Sequence, residues 1–212
     1  TLPAADAAGI KYYYYLNENW NGQGYGRVSK ARRASVVNGE GSYVYTYYSD
    51  ASGRLKSTAV YATTSWGTLV YTATNYNDSA NRIESKTLAT ADASGNIYYH
   101  YLNENWNGQG HGRVDKSKRQ VALDGVLSHQ YTYYGDAAGR LMTDMAFSDA
   151  DWMRLVTGTT YFNDAAHRVE TMLDAAAAVR YFYYNDAPNR VQSRVEYNSG
   201  ITVTYYNDQT NY

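Results

Sequence analysis

The chain has 212 residues, with 19 Lys and Arg residues against 20 Asp and Glu residues, and it contains no cysteine. The lack of cysteine excludes disulfides and thiolate zinc sites, and the balanced charge argues against a phosphate-dominated interface with nucleic acid. No run of residues approaches the roughly 20 apolar positions that a membrane-spanning helix needs.

An internal duplication organises the chain. A shift of 86 places KYYYYLNENWNGQGYGRV, from Lys11, over IYYHYLNENWNGQGHGRV, from Ile97, and the alignment continues without a gap for about 75 residues. We interpret the chain as a single repeat domain with two copies, about 11–96 and 97–180, followed by a terminal partial copy, 181–212. Each copy contains three shorter units, in which a tyrosine-rich run leads to Asp, three small or polar residues, and Arg.

Each unit predicts one β-hairpin. The runs YVYTYY, LVYTATNY, YFYY and ITVTYY are dense in aromatic and β-branched residues, which favour strands. The segments DASG, DSAN, DAAG, DAAH, DAPN and DQTN predict tight turns, because Asp bonds nearby backbone and Gly or Asn in fourth place tolerates positive φ. Segments that begin at the Arg, such as RLKSTAVYA and RIESKTLAT, predict the returning strands.

Two alanine-rich segments, AADAAG near the start and LDAAAAVR at residues 173–180, also suit a helix, but both are short. The second stands where other copies connect hairpins, so we interpret it as a loop or bulge. The predicted fold is therefore all-β, with tandem antiparallel β-hairpin repeats that form an elongated twisted sheet, a solenoid or a spiral shell. Since tyrosine occurs 26 times and phenylalanine 3 times, we expect a thin core with many half-buried rings.

The repeated pattern of two tyrosines, a variable residue, Asp, Ala, a second variable residue, Gly or Asn, Arg, and then Leu or Val resembles the YD repeat of bacterial Rhs proteins and teneurins. The resemblance runs from about Lys11 to Tyr212, although that family usually places Tyr directly before Asp, whereas Ser49 separates Tyr48 from Asp50 here. It implies non-catalytic hairpin repeats that build an extended spiral or a closed shell. The segment KYYYYLNENW is also similar to the Tyr and Trp hairpins of choline-binding and glucan-binding wall repeats.

Acidic and basic residues recur as pairs four positions apart in the predicted turns. We expect each Asp to bond the turn backbone, and each Arg to lie across a tyrosine ring or to bond the next turn. A catalytic site needs one singular constellation, whereas these pairs recur in every unit, so we expect a structural role and no enzyme activity. The pairs are Asp50 with Arg54, Asp78 with Arg82, Asp136 with Arg140, Asp164 with Arg168 and Asp186 with Arg190.

The histidines lead to the same expectation. At the matching positions of the other copy stand three tyrosines and one asparagine, and a general base or metal ligand is not exchanged so freely. We therefore predict neither a metal site nor a cofactor. The four histidines are His100, His111, His129 and His167.

The stretch LNENWNGQG, which occurs twice, predicts two enlarged hairpin loops. In one interpretation the two Trp rings fold over the sheet and cover apolar surface. In the other, each indole stacks on a sugar ring while amides bond the sugar hydroxyls, and two equal sites bind a polysaccharide with avidity. The candidate glycan-binding residues are Trp20, Asn17, Asn19, Asn21 and Gln23 in the first loop, and Trp106, Asn103, Asn105, Asn107 and Gln109 in the second.

The last unit, ITVTYYNDQTNY, stops at Tyr212, where the other units carry the Arg of the returning strand. We expect either an edge capped by a loop or an unpaired edge rich in Tyr and Thr. If a strand near Lys11 of another molecule pairs with an open edge, head-to-tail contacts generate a filament.

The sequence therefore favours a non-enzymatic structural protein that is secreted or lies at the cell surface, as a self-associating subunit of an extracellular fibre. One alternative is a carbohydrate-binding module that uses the Trp loops. Another is a shell segment of a larger Rhs-like polypeptide. None of these interpretations includes nucleic acid or a membrane span.

Overall fold

The computed structural model describes residues 1–205, which form an all-β protein, as the sequence predicts. One short 3-10 helix, Trp20–Gly22, lies between the first two strands. The strands are β1 Ile10–Tyr15, β2 Val28–Val37, β3 Glu40–Tyr47, β4 Leu55–Tyr61, β5 Leu69–Asn75, β6 Ile83–Leu88, β7 Asn96–Tyr101, β8 Val114–Leu123, β9 Val126–Tyr133, β10 Leu141–Phe147, β11 Leu155–Tyr161, β12 Val169–Asp174, β13 Val179–Tyr183, β14 Val191–Glu196 and β15 Ile201–Thr204.

The fifteen strands follow one another in the sheet in chain order, and the neighbouring strands run antiparallel. The bounds of β1–β6 recur 86 residues later as those of β7–β12. Contacts divide the chain into two compact units, Thr1–Val114 and a second that begins at Asp115. The first unit holds β1–β7, and the second holds almost all of β8 and the strands that follow.

The predicted turns are confirmed where the structure describes them. The residue in fourth place has positive φ in all five, with values of 63° at Gly53, 50° at Asn81, 60° at Gly139, 52° at His167 and 53° at Asn189. Glycine, asparagine and histidine thus fill a place that β-branched residues avoid. The predicted turn DQTN lies outside the described residues.

Neither alanine-rich segment is helical. Residues 175–178 form a four-residue turn between β12 and β13, which is too short to nucleate a stable helix. Residues 6–9 form another turn, in which the Asp6 carboxylate accepts hydrogen bonds from the N–H groups of Ala8 and Ile10 at 3.0 and 2.8 Å. That turn leads directly into β1.

The core of the first unit is a cross-strand row on one face of the sheet. Ala31, Tyr43 and Val60 are buried there and pair with one another across β2, β3 and β4. Half-buried Tyr13 and Tyr71 extend the row on either side. The core therefore contains several half-buried tyrosine rings, as the tyrosine content predicts.

A tyrosine hydroxyl links each of several hairpins to the next one. The donor stands two residues before the turn Asp, and the acceptor is a main-chain carbonyl at the corresponding corner of the following hairpin. Three hairpins carry a residue without a hydroxyl at this donor position: Leu16, Leu102 and Phe162. The four bonds join Tyr48 to Asn75 at 2.5 Å, Tyr76 to Tyr101 at 2.5 Å, Tyr134 to Tyr161 at 2.5 Å, and Tyr184 to Tyr205 at 3.2 Å.

We predict that Tyr76→Phe lowers the free energy of unfolding by ~1 kcal/mol, since it removes one half-buried hydrogen bond and leaves a carbonyl unpaired. Tyr197→Phe is the matched control, because Tyr197 is 55% exposed and should lose almost nothing. Urea denaturation followed by circular dichroism measures both. Equal stability of the two variants would contradict a stabilising role for the corner bond.

A second prediction concerns alkaline pH. The hydrogen bond to Asp6 raises the pKa of Tyr13 from 10.0 to about 12, and burial raises the pKa of Tyr71 and Tyr99 to about 12 as well. Because the folded pKa values exceed the unfolded one, the neutral rings stabilise the fold fully below pH 10.0 and lose that contribution as the pH rises through about 12.

Unfolding at alkaline pH should therefore coincide with the ionisation of Tyr13, Tyr71 and Tyr99. The difference in ultraviolet tyrosinate absorbance between wild type and each single Phe variant isolates the signal of each ring, because other tyrosines are exposed. Ionisation of these three rings well before the far-ultraviolet circular dichroism changes would contradict their stabilising role.

Candidate functional site

The Asp and Arg residues of the turns bond to each other at the hairpin corners. Each Asp also accepts main-chain N–H groups of its own turn, as in the bonds from Ser52 to Asp50 at 3.0 Å and from Ala80 to Asp78 at 2.9 Å. The closest nitrogen-to-oxygen distances are 3.6 Å for Asp50 with Arg54, 2.8 Å for Asp78 with Arg82, 3.1 Å for Asp136 with Arg140, 3.0 Å for Asp164 with Arg168 and 2.6 Å for Asp186 with Arg190.

The same arginines reach the following corner. Three of them donate a second hydrogen bond to an asparagine that lies 21 or 23 residues further along the chain. An arginine thereby connects its own turn to the next one, alongside the tyrosine hydroxyl. The bonds run from Arg54 to the Asn77 carbonyl at 3.1 Å, from Arg82 to the Asn103 amide oxygen at 2.8 Å, and from Arg140 to the Asn163 amide oxygen at 2.8 Å.

Each of the two enlarged loops contains its own ion pair. The first Trp loop, residues 16–27, places Glu18 against Arg27, with Arg27 Nε 2.7 Å from Oε1 and Nη2 3.0 Å from Oε2. The Arg27 main-chain N–H also donates to Oε1 at 3.0 Å. These bonds from Arg27 lower the pKa of Glu18. In the second Trp loop, residues 102–113, Glu104 and Arg113 repeat the contact at 2.7 and 3.0 Å.

The Trp20 indole is engaged within the protein. The Arg27 guanidinium lies 4.3 Å from the centre of the Trp20 ring and 4.6 Å from that of Tyr47, so it is held between two aromatic rings. Gly53, in the next corner, packs so closely that a Cβ there would lie 2.3 Å from the six-membered ring of Trp20. The corresponding guanidinium of Arg113 lies 4.6 Å from the Trp106 ring.

The amides of the loops differ in their contacts. Two shape the loops themselves, because Asn19 accepts from Gly24 N–H at 2.9 Å and Asn105 from Gly110 N–H at 3.4 Å. Asn103 is bonded to Arg82. The remaining candidates are exposed at the loop surface, and they are Asn17, Asn21, Gln23, Asn107 and Gln109.

The two loops contact different parts of the first unit. The first joins β1 to β2 and the second joins β7 to β8, so the six strands β2–β7 separate them in the strand order. The second loop lies against the start of β6, where Ile83 N–H donates to the Gly110 carbonyl at 3.1 Å. Each loop is thus attached to a neighbouring corner.

Sequence reasoning missed the roles of Glu18 and Glu104. Their hairpins lack the Asp that stands four residues before the Arg in the other units. An ion pair of Arg27 or Arg113 with another nearby acidic residue could therefore have been predicted. It also missed Trp66 and Trp152, whose indole N–H groups donate to main-chain carbonyls at 3.2 and 2.9 Å.

A shallow groove of about 300 Å³ lies on the core face of the first unit. Its lining combines the rings of Tyr13, Tyr45 and Tyr47 with aliphatic and amide side chains such as Leu55 and Asn81. Burial raises the pKa of Tyr47, and burial is also the main reason that the pKa of Tyr45 is raised. The groove thus holds neutral phenols, and the described residues that line it carry no charge.

Two further observations concern the described residues as a whole. None of their helical segments is long and apolar enough to cross a bilayer. No three of their His, Asp or Glu side chains gather where a metal ion could bind.

Comparison with protein-family models and with curated protein sequences gives no match. Several solved structures share a limited likeness with the chain. The crystal structure of TcdB2-TccC3-TEV has 13% identity and a TM-score of 0.27, over 86% of this chain and 11% of that one. A porin-like protein from Bacteroides uniformis has 11% identity and a TM-score of 0.25, over 84% and 90%. The Tc holotoxin pore of Photorhabdus luminescens has 11% identity and a TM-score of 0.18, over 86% and 11%.

The chain therefore spans about a tenth of the length of the first and third of these proteins. At such identities and TM-scores the likeness carries no argument about function.

We predict that Gly53→Ala destabilises the protein more than Gly39→Ala does. Both glycines have positive φ, so each substitution costs ~1 kcal/mol for the backbone conformation. Only the Cβ at position 53 meets the Trp20 ring, whereas nothing lies within 4 Å of one at position 39. The clash adds ~1–3 kcal/mol, which urea denaturation measures.

A Trp20→Ala background provides the control. Removing the ring should abolish the difference between Gly53→Ala and Gly39→Ala. A difference that persists without the ring would refute the packing of Trp20 on the next corner.

Proposed function

We propose that the chain is a non-enzymatic structural segment of a secreted or cell-surface assembly, extended by antiparallel strand pairing along its sheet. The observation that supports this proposal is the repetition of corner contacts. Asp, Arg and Tyr side chains that could serve chemistry are bonded to main chain or to one another in hairpin after hairpin. Such a distribution suits a scaffold, because every hairpin stabilises the next one.

The outer edge of β15 is the place where we propose that a further strand pairs. Tyr205 N–H donates to the Gln192 carbonyl at 2.8 Å, and main-chain bonds alternate along an antiparallel strand. The N–H and C=O groups of Thr202 and Thr204 therefore point away from β14. An extended segment can bond to them without disturbing the existing pairing.

The partner in the proposed fibre is the β1 end of a second copy. Residues 2–6 lie beside β1 there, where Leu2 N–H donates to the Lys11 carbonyl at 2.8 Å and Asp6 N–H donates to the Ile10 carbonyl at 2.9 Å. An incoming β15 meets this segment before it meets β1. In a longer Rhs-like polypeptide, a further hairpin of the same chain would take the place of the second copy.

The proposal predicts that the purified chain forms elongated particles, seen by size-exclusion chromatography and negative-stain electron microscopy. Thr202→Pro removes an outward N–H and should yield monomers. Thr202→Val keeps that N–H and the β propensity of the strand, so it is the matched control and should assemble normally. Circular dichroism shows whether each variant is folded.

A folded wild-type monomer, or assembly that Thr202→Pro leaves intact, would reject pairing at β15. A monomer retained on a polysaccharide column would favour the carbohydrate-binding module instead. In that case the double variant Trp20→Ala and Trp106→Ala should abolish retention, whereas it should leave filaments intact if the chain is a fibre subunit.

A further inference from the structure

Two exposed tyrosines stand in contact at the base of the first Trp loop. Tyr15 ends β1 and Tyr25 lies just before β2, and their ring centroids are 5.2 Å apart with an interplanar angle of 59°. Tyr15 is 48% exposed and Tyr25 is 53% exposed. Neither hydroxyl donates or accepts a hydrogen bond within the part of the chain that the structure describes, so both phenols are open to solvent.

The other tyrosine pairs in ring contact among the described residues are less accessible. Tyr43 and Tyr45 are 6.2 Å apart, and Tyr99 and Tyr101 are 6.4 Å apart, but Tyr43 and Tyr101 are each only 8% exposed. Tyr13 lies 6.4 Å from Tyr15, but it is half-buried and its hydroxyl donates to Asp6. The pair of Tyr15 and Tyr25 is therefore the closest of these contacts and has both rings exposed.

The second copy lacks this arrangement. His111 occupies the place of Tyr25, and its partner ring, Tyr101, is buried. The two rings still touch, with centroids 4.5 Å apart. The loops are otherwise alike, so the presence of two exposed phenols distinguishes the first loop from the second.

We propose that Tyr15 and Tyr25 form a modification site, at which a haem peroxidase with hydrogen peroxide joins the two rings through a dityrosine bond. This inference goes beyond the structural function proposed above and does not depend on it. The main chain already fixes both residues, since Tyr15 pairs with Val28 and the Tyr25 carbonyl accepts from Trp20 N–H at 3.1 Å. Only rotation of two exposed side chains is needed to bring their ortho carbons together.

The chemistry balances with hydrogen peroxide as the oxidant. Each phenol gives up one electron and one proton and becomes a phenoxyl radical, and the two radicals couple through ortho carbons. Each ortho hydrogen then moves to its phenol oxygen, which restores both aromatic rings. In total two ortho C–H bonds and the peroxide O–O bond break, one C–C bond forms, and two water molecules are released.

The cross-link would close a short covalent loop in a chain that has no cysteine. It would constrain the unfolded chain in the way that a disulfide does, and it would tie the end of β1 to the segment that precedes β2. In an oxidising environment this is a covalent means of fixing the loop.

The test treats the folded full-length chain with a haem peroxidase and hydrogen peroxide, and then digests the denatured product. Cleavage after Lys11 and Arg27 releases residues 12–27, and further cleavage after Glu18 separates the two tyrosines unless they are linked. We expect a linked peptide pair whose mass is lower by two hydrogen atoms, together with dityrosine fluorescence. Tandem mass spectrometry should place the link at Tyr15 and Tyr25.

Variants show whether the contact between Tyr15 and Tyr25 determines where the cross-link forms. Tyr25→Phe and Tyr25→His should lose the linked peptide, whereas Tyr14→Phe should retain it, because Tyr14 is 45% exposed but contacts Trp66 instead of a second phenol. The proposal is overturned if Tyr25→Phe yields as much linked peptide as wild type, or if all dityrosine is intermolecular. It is equally overturned if protein in denaturant forms this link as efficiently as folded protein.

Discussion

The hydrogen bond from a corner tyrosine to a main-chain carbonyl of the next hairpin is the interaction on which the repeat architecture depends. Pairing of strands alone fixes neighbours in a sheet but leaves the hairpin corners free to splay. The hydroxyl of Tyr76, 2.5 Å from the Tyr101 carbonyl, connects two corners directly, and Arg82 adds a second connection to Asn103. Because the acceptor is main chain, the bond tolerates side-chain variation in the next hairpin.

The Trp loops follow the same principle with different groups. Glu18 replaces the turn Asp as the partner of the arginine, and the indole of Trp20 replaces the tyrosine as the group that reaches the next corner, at Gly53. The first Trp loop is thus a modified corner, in which the face of the Trp20 indole takes over the linking role of the tyrosine hydroxyl. The exposed amides of both Trp loops remain available at the surface.

Much of the fold could be predicted from the sequence, since strands and turns are encoded locally. Asp50 and Gly53 are sufficient to predict a turn, and the aromatic and β-branched runs predict the strands on either side of it. The partner of Glu18 could not be read from the short repeat, because it lies nine residues away in a loop that breaks the pattern. The acceptor for Tyr48 carries no sequence signal, because it is a main-chain carbonyl. Tyrosine occurs on both faces of the strands, so the sequence does not indicate which face is buried.

One consequence lies in Phe162, which stands where other hairpins carry the linking hydroxyl. Each hairpin is stabilised by contacts with the hairpin that follows it. An array of this kind therefore unfolds first at the interface between hairpins that has the fewest stabilising contacts. Because Phe162 has no hydroxyl, the β11–β12 corner lacks the hydrogen bond to the next hairpin and is such an interface. Under force or on heating, the second unit should therefore begin to unfold at this corner. The hairpins on either side of it would then separate and unfold independently.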